Sequence, residues 1–170
     1  MKQKLSLVLS LILALAMVFA LTGCSKSDTT DETASVYEQD LAAYAEVIDG
    51  LKEGSAYAFA DICEGYDALL VTEAPITFDK LTEAAAATVY GFDKDGNVKE
   101  LGTIESSTTS MPITVKDGYA YTGGHHDMSR ASIDEKNAKL VTETVKETED
   151  NYNDFFQAYS EGTMVDFTLV

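Results

Sequence analysis

The sequence predicts a mainly β domain of the α+β class. It takes the form of an antiparallel meander, closed into a barrel or strongly curved, with an N-terminal helix and a second helix before the last strand. Three observations carry this. Apolar residues recur at helical spacing only around residues 37–51 and 152–159. Between those segments the period is two, in short runs divided by Gly, Asp, Asn and Pro. Turn signals then follow one another at regular intervals, as antiparallel barrels require.

The elements follow in order. Ser35-Val36-Tyr37-Glu38 is a capping box, in which the Ser hydroxyl and the Glu carboxylate satisfy the first free amides of a helix. Tyr37, Leu41, Tyr44, Ile48 and Leu51 form one apolar stripe, and Gly54 ends the helix. Two heptads are too few for a stable coiled coil, so the stripe is assigned to docking on the domain's own sheet. From Ser55, Tyr57 and Phe59 alternate with Ala58 and Ala60, and a turn at 64–67 leads to a strand over 68–72. Pro75 marks a loop with a short helical turn over 79–83, after which a strand resumes at 87–92.

A turn at 93–97 precedes a strand over 98–104, and a polar loop at 106–110 precedes one over 112–116. Asp117-Gly118 is the strongest hairpin signal in the chain. A strand over 119–122 runs into Gly123-Gly124-His125-His126-Asp127, and strands over 129–133 and 140–146 flank a turn at 134–138. Tyr152, Phe155, Phe156 and Tyr159 share a helical face, Gly162 stops that helix, and Val165, Phe167 and Leu169 alternate as a final strand. This order of elements resembles that of lipocalin-type barrels, with shorter strands and without that family's signature.

The chain opens with a cationic stretch, Met1 to Lys4, and an uncharged apolar run from Leu5 to Ala20, so residues 1–23 read as an export signal. A membrane-spanning anchor would want about 20 apolar residues, and this run is shorter and ends in small ones. Leu21-Thr22-Gly23-Cys24 resembles the lipobox of bacterial lipoproteins. The resemblance implies that the Cys24 sulfur receives diacylglycerol and that cleavage makes Cys24 the mature N-terminus. It further implies a cell-membrane location on the extracytoplasmic face, held by two acyl chains at about 0.8 kcal/mol per buried methylene. The lipobox followed by a small, acidic, Tyr-rich β-domain also resembles lipoproteins of Gram-positive bacteria. Residues 24–34 are polar and read as a flexible tether with a reach on the order of 20 Å. Residues 35–170 form a single globular domain.

The 29 acidic residues all follow the signal, which takes Lys2 and Lys4 out of the 12 basic ones; the formal charge moves from −17 to −19. A field of that sign repels phosphate backbones, and no basic stripe offsets it, so nucleic acid is excluded as a partner. With Cys24 lipidated, Cys63 is the only thiol left and no intramolecular disulfide forms. Asp61 and Glu64 beside it raise a thiol's pKa, so Cys63 reads as a packed small residue and not a nucleophile.

Consecutive turns of a meander alternate between its two ends. The turns at 93–97, 117–118 and 134–138 therefore share one end, gathering Asp93, Asp95, Asp117, Asp134 and Glu135. The loops at 106–110 and 123–127 share the other, with Ser106, Ser107, Thr108, Thr109 and Ser110 facing His125, His126 and Asp127.

Asp93, Asp95 and Asn97 offer alternate oxygen ligands for calcium, but Gly96 and Val98 depart from the EF-hand spacing and a hairpin turn explains the residues as well. His125, His126 and Asp127 offer a zinc set, which requires Gly123 and Gly124 to bend the loop, because adjacent residues of an extended chain point to opposite faces. No GxSxG, SxxK, P-loop or GxGxxG motif is present.

The resulting expectation is a non-enzymatic binding or interaction module without a cofactor. A protein or small-molecule ligand would contact Ser107, Thr108, Thr109, Tyr119, Tyr121 and His126. The alternative is a zinc-dependent hydrolase centred on His125, His126 and Asp127.

Overall fold

Alternation of alanine with aromatic residues decides the architecture. In the computed structural model, which describes residues 39–170, Ala56, Ala58 and Ala60 point inward and are buried, while Tyr57 and Phe59 between them point outward. The export signal, Cys24, the tether and the Ser35 capping box lie outside the described residues.

The described strands are β1 (Ala56–Ala60), β2 (Ala68–Thr72), β3 (Ile76–Phe78), β4 (Leu81–Glu83), β5 (Ala86–Phe92), β6 (Val98–Glu105), β7 (Thr114–Lys116), β8 (Tyr119–Gly123), β9 (Asp127–Asp134), β10 (Lys139–Lys146), β11 (Thr163–Met164) and β12 (Thr168–Leu169). The helices are α1 (Ala45–Asp49), preceded by helical residues 39–43, and α2 (Tyr152–Glu161).

The fold is mainly β, with few helices and antiparallel pairing throughout. One five-stranded sheet has the order β12-β1-β2-β5-β6, a second the order β10-β9-β8-β7-β11, and β3-β4 is a separate hairpin. The expected barrel does not close. The meander breaks between β6 and β7, and no ladder joins edge strands β6 and β10. A barrel of as many strands as the two sheets contain would have an interior too wide for alanine to fill. Flattened into two layers, the inner faces meet through Ala58, Ala68, Ala87, Ala120 and Ala131 around Leu70, Val89, Ile104 and Ile133. The β5–β6 register shifts between Val89 and Tyr90, leaving Leu101 of β6 as the extra residue beside Gly102, whose φ of +146° suits glycine; a side chain there would touch Leu140 of β10.

Each outer face is covered by a helix. Tyr44, only 1% exposed, packs with Val47, Ile48 and Leu51 on Leu69 and Val71 of the first sheet, and its hydroxyl donates to the Asp67 carbonyl at 2.9 Å. Of the expected stripe, Tyr44, Ile48 and Leu51 thus dock on the chain's own sheet. On the second sheet, Phe155 of α2 is buried against Tyr121, Met128 and Val145, while Phe156 leaves that face and is 48% exposed.

Three local expectations are corrected. The first helix ends at Asp49 with Gly50 as its C-cap, short of Gly54, which lies in a later turn. Residues 79–83 are not a helical turn; β3 and β4 form a hairpin around Asp79 and Lys80, with Asp79 at φ +56° and the Thr77 and Thr82 hydroxyls 3.2 Å apart. β-Branched residues paired across the hairpin favour this form. The final alternating run is not one strand. It crosses between the sheets, β11 pairing with β7 and β12 with β1, while Val165 and Phe167 donate to the Ile113 and Thr82 carbonyls at 3.1 and 2.7 Å. Among the described residues, no helix is long and apolar enough to cross a membrane.

Candidate functional site

The turns after β1, β5, β7 and β9 lie at what is here called the turn end. The chain after β1 does not simply reverse. It leans across to the second sheet, where Ile133 N donates to Ile62 O at 3.0 Å and Gly65 N donates to Glu135 Oε1 at 3.0 Å. The Cys63 thiol donates to the same Glu135 oxygen at 3.3 Å. Tyr66 meets the Phe92 ring edge-on, with centroids 4.8 Å apart, and its hydroxyl oxygen accepts from Phe92 N at 3.2 Å. Burial pushes the Tyr66 phenol up to about 12 and raises the Cys63 thiol, with Glu135 adding to the latter. Cys63 is therefore a buried thiol raised above its ordinary value, as expected, but burial and Glu135 raise it and not the sequence neighbours Asp61 and Glu64.

This bridging loop leaves two open clefts. One, of about 660 Å³, lies between residues 61–64 and 132–136, with Tyr119 as its accessible apolar side chain above the buried Ile62 and Ile133. The other, of about 680 Å³, lies between the end of β1 and the β7–β11 pair and is floored by Ala60, Val115 and Val165. Asp61, Asp117 and Gly118 line both. Asp117 (φ +51°) and Gly118 (φ +77°) both have the left-handed backbone that a two-residue hairpin demands.

Several carboxylates here are already engaged. Lys116 Nζ pairs with Glu161 at 2.6 Å, Asp166 accepts from Thr82 N at 3.1 Å, and Asp134 accepts from the Asn137 side chain at 2.7 Å. Asp61, Glu64 and Asp117 belong to none of these pairs. The Asp67 carboxyl is raised by burial and then by the charge of Asp61, and Asp40 is raised by burial and then by Asp67.

Asp117, Asp134 and Glu135, grouped by turn parity, do meet in the first cleft. Asp93 and Asp95 do not line it. Asp93 Oδ1 accepts from the backbone N–H groups of Asp95 and Asn97, both at 2.9 Å, and these bonds within its own turn hold its carboxyl below the usual range, the Asn97 bond foremost. The segment is thus a hairpin turn whose first calcium ligand is already occupied.

The loop end brings 106–110 against 123–127. Ser107 N donates to Gly123 O and Gly123 N to Ser106 Oγ, both at 3.0 Å, and a side chain on Gly124 would overlap the Ser107 hydroxyl. Ser107 and Thr109 are exposed, and Thr108 shares a hydrogen bond with Ser110 at 3.0 Å.

The zinc set is not assembled. Among the described residues, no group of three His, Cys, Asp or Glu side chains is placed to share a metal. The rings of His125 and His126 lie 6.4 Å apart by centroid, Asp127 enters β9, and His126 Nδ1 instead meets Glu147 Oε2 at 2.7 Å in an exposed pair.

Two more expected contacts are placed elsewhere. Tyr121 is buried beneath α2, edge-on to Phe155. Tyr119 lies under the Arg130 guanidinium, 4.7 Å from its ring centroid, and lines the turn-end cleft. The residues that sequence reasoning missed are those at 61–64. The signal for them was available, since the turn at 64–67 belongs by parity with 93–97.

No protein-family model, curated protein or solved structure matches the chain.

Proposed function

We propose that the chain is a non-enzymatic binding module, anchored on the extracytoplasmic face of a bacterial cell membrane by lipid on Cys24 and offering its turn end to a ligand. The observation that carries the binding surface is the pair of open clefts sharing Asp61, Asp117 and Gly118. Concave sites with apolar floors and a few convergent polar groups are where small ligands and peptide side chains lose most water. The loop end chosen from composition contributes exposed hydroxyls and imidazoles but lines neither cleft. The absence of catalysis is supported by two arrangements. The His126 imidazole is bonded to a carboxylate in an exposed pair, and burial together with the Glu135 carboxylate holds the Cys63 thiol in its protonated, weakly nucleophilic form.

Labelling cells with a fatty-acid probe tests the anchor: label on the wild type and none on Cys24→Ala is expected, and an unlabelled wild type overturns it. A fragment screen read by amide chemical shifts tests the surface. Shifts centred on Ile62, Gly118 and Ile133 are expected, whereas shifts confined to 106–110 and 123–127 would move the site to the other end. Stoichiometric zinc lost on His125→Ala would replace this reading with the hydrolase.

A further inference from the structure

We propose that the two clefts form one trough for an extended cationic peptide segment, its Lys or Arg side chains meeting the acidic rim and its apolar side chains the floor. The inference rests on the reading of the turn end as the binding surface, and it names the class of ligand.

Three features of the structure lead to it. First, the clefts are in series: Asp61 and the Asp117-Gly118 hairpin belong to both, so a ligand crossing that partition occupies the two together. A compact small molecule would fill one; an extended chain fits both. Second, floor and rim differ in chemistry. The accessible apolar lining is Tyr119 on one side and Val115 and Met164 on the other, whereas the partition carries two carboxylates. Side chains of an extended peptide alternate between faces, so a sequence alternating basic and apolar residues matches both surfaces at once.

Third, the local charge is uncompensated. Of the two lysines at the trough, Lys116 is tied to Glu161 at 2.6 Å and shares its field with Asp117, which leaves Lys136 against Asp61 and Glu64. The raised Asp67 carboxyl reports the same field, since Asp61 is its first electrostatic cause after burial. A cationic ligand relieves that repulsion and an anionic one adds to it. A bare metal ion is a poorer occupant, because the carboxylates do not converge on one point.

The test uses the full mature chain in detergent and three synthetic octapeptides alternating valine with lysine, serine or glutamate. The lysine peptide should bind with a salt-dependent affinity, and the glutamate peptide should not. Asp61→Asn/Asp117→Asn should weaken lysine-peptide binding by about tenfold or more. Asparagine tolerates the positive φ at 117, so the hairpin survives the change. The charge-matched double variant Glu105→Gln/Glu147→Gln, on exposed residues at the loop end, should change binding by less than about twofold, because charges beyond a Debye length are screened.

Equal losses in both double variants would reduce the binding to the net charge of the whole chain and overturn the trough. Equal binding of the serine peptide, with shifts at Ile62 and Ile133, would overturn the cationic class and leave the binding surface standing. Silence with all three peptides while fragments still mark the clefts would overturn the peptide class alone. Silence in both experiments would remove the binding reading as well.

Discussion

The loop end and the turn end of this sandwich use their polar groups in opposite ways. At the loop end, backbone and hydroxyl groups are consumed between neighbouring loops: Ser107 N with Gly123 O, and Gly123 N with the buried Ser106 hydroxyl. The loops close on each other and leave their remaining Ser, Thr and His side chains exposed. At the turn end, one loop must span from the first sheet to the second, anchored at Ile133 and Glu135, and the space on either side of it stays open. Composition marks where side chains reach water. Concavity depends on where the backbone has to bridge two layers, and here the two criteria select opposite ends.

The largest test of this contrast is Tyr66→Ala. The ring packs edge-on to Phe92 and its oxygen receives the Phe92 N–H, so it braces the bridging loop from beneath. Its removal should cost somewhat more than about 2 kcal/mol of unfolding free energy in urea, below the range for fully buried aromatic truncations because the ring is only half-buried. Thr109→Ala, exposed at the loop end, should stay within about 0.5 kcal/mol. Equal losses at the two positions would show that the ends are braced alike.

Next in size is Ser106→Ala. Ser106 is 6% exposed and its Oγ accepts from the buried Gly123 N–H at 3.0 Å. Without it that donor has no partner in a dry site, and the loss should be about 2 kcal/mol by the same urea titration. A loss below about 0.5 kcal/mol would mean that water replaces the hydroxyl and that the loop end is looser than its hydrogen bonds imply.

Much of this was legible in the sequence, for identifiable reasons. The strand over 68–72, the Asp117-Gly118 hairpin and the helix stopped by Gly162 depend on period and turn chemistry, which are local. Turn parity is nearly as local, and it correctly joined 106–110 to 123–127. The division into two sheets was not legible, because it depends on bonds such as Ile113 N to Ala84 O and Val165 N to Ile113 O between distant segments. The same limit hid the splitting of the last alternating run. Tyr121 illustrates a third kind of loss: alternation assigns it to a face of β8, but only the arrival of α2 makes that face interior. The bridging loop at 61–67 was missed for a lesser reason, since its polar sequence reads as an ordinary turn until Ile133 appears opposite it.

The smallest expected effect separates charge from packing at the turn end. The Asp67 carboxyl is raised above its ordinary value by burial and by Asp61, so ionising it opposes folding. The sign follows from linkage: with the folded-state pKa raised, stability is fullest when the group is protonated and falls as pH rises through the folded pKa. Above that folded pKa the carboxylate is charged and the full penalty applies. Asp67→Asn removes the charge and keeps the backbone carbonyl that receives the Tyr44 hydroxyl.

The variant should therefore melt slightly above wild type at pH 7, and the gain should shrink on acidification and vanish below about pH 4, where aspartate is neutral in both states. Calorimetry across that range reads it directly. A gain independent of pH would locate the effect in packing, and a loss at pH 7 would mean that the carboxylate makes a stabilising contact that outweighs its burial and the charge of Asp61. The corresponding neutralisation at the loop end, Glu147→Gln, should lower stability instead, because it weakens the exposed contact with His126. Opposite signs from removing one negative charge at each end would show that the Asp67 carboxylate is held against its charge while the Glu147 carboxylate is held by it.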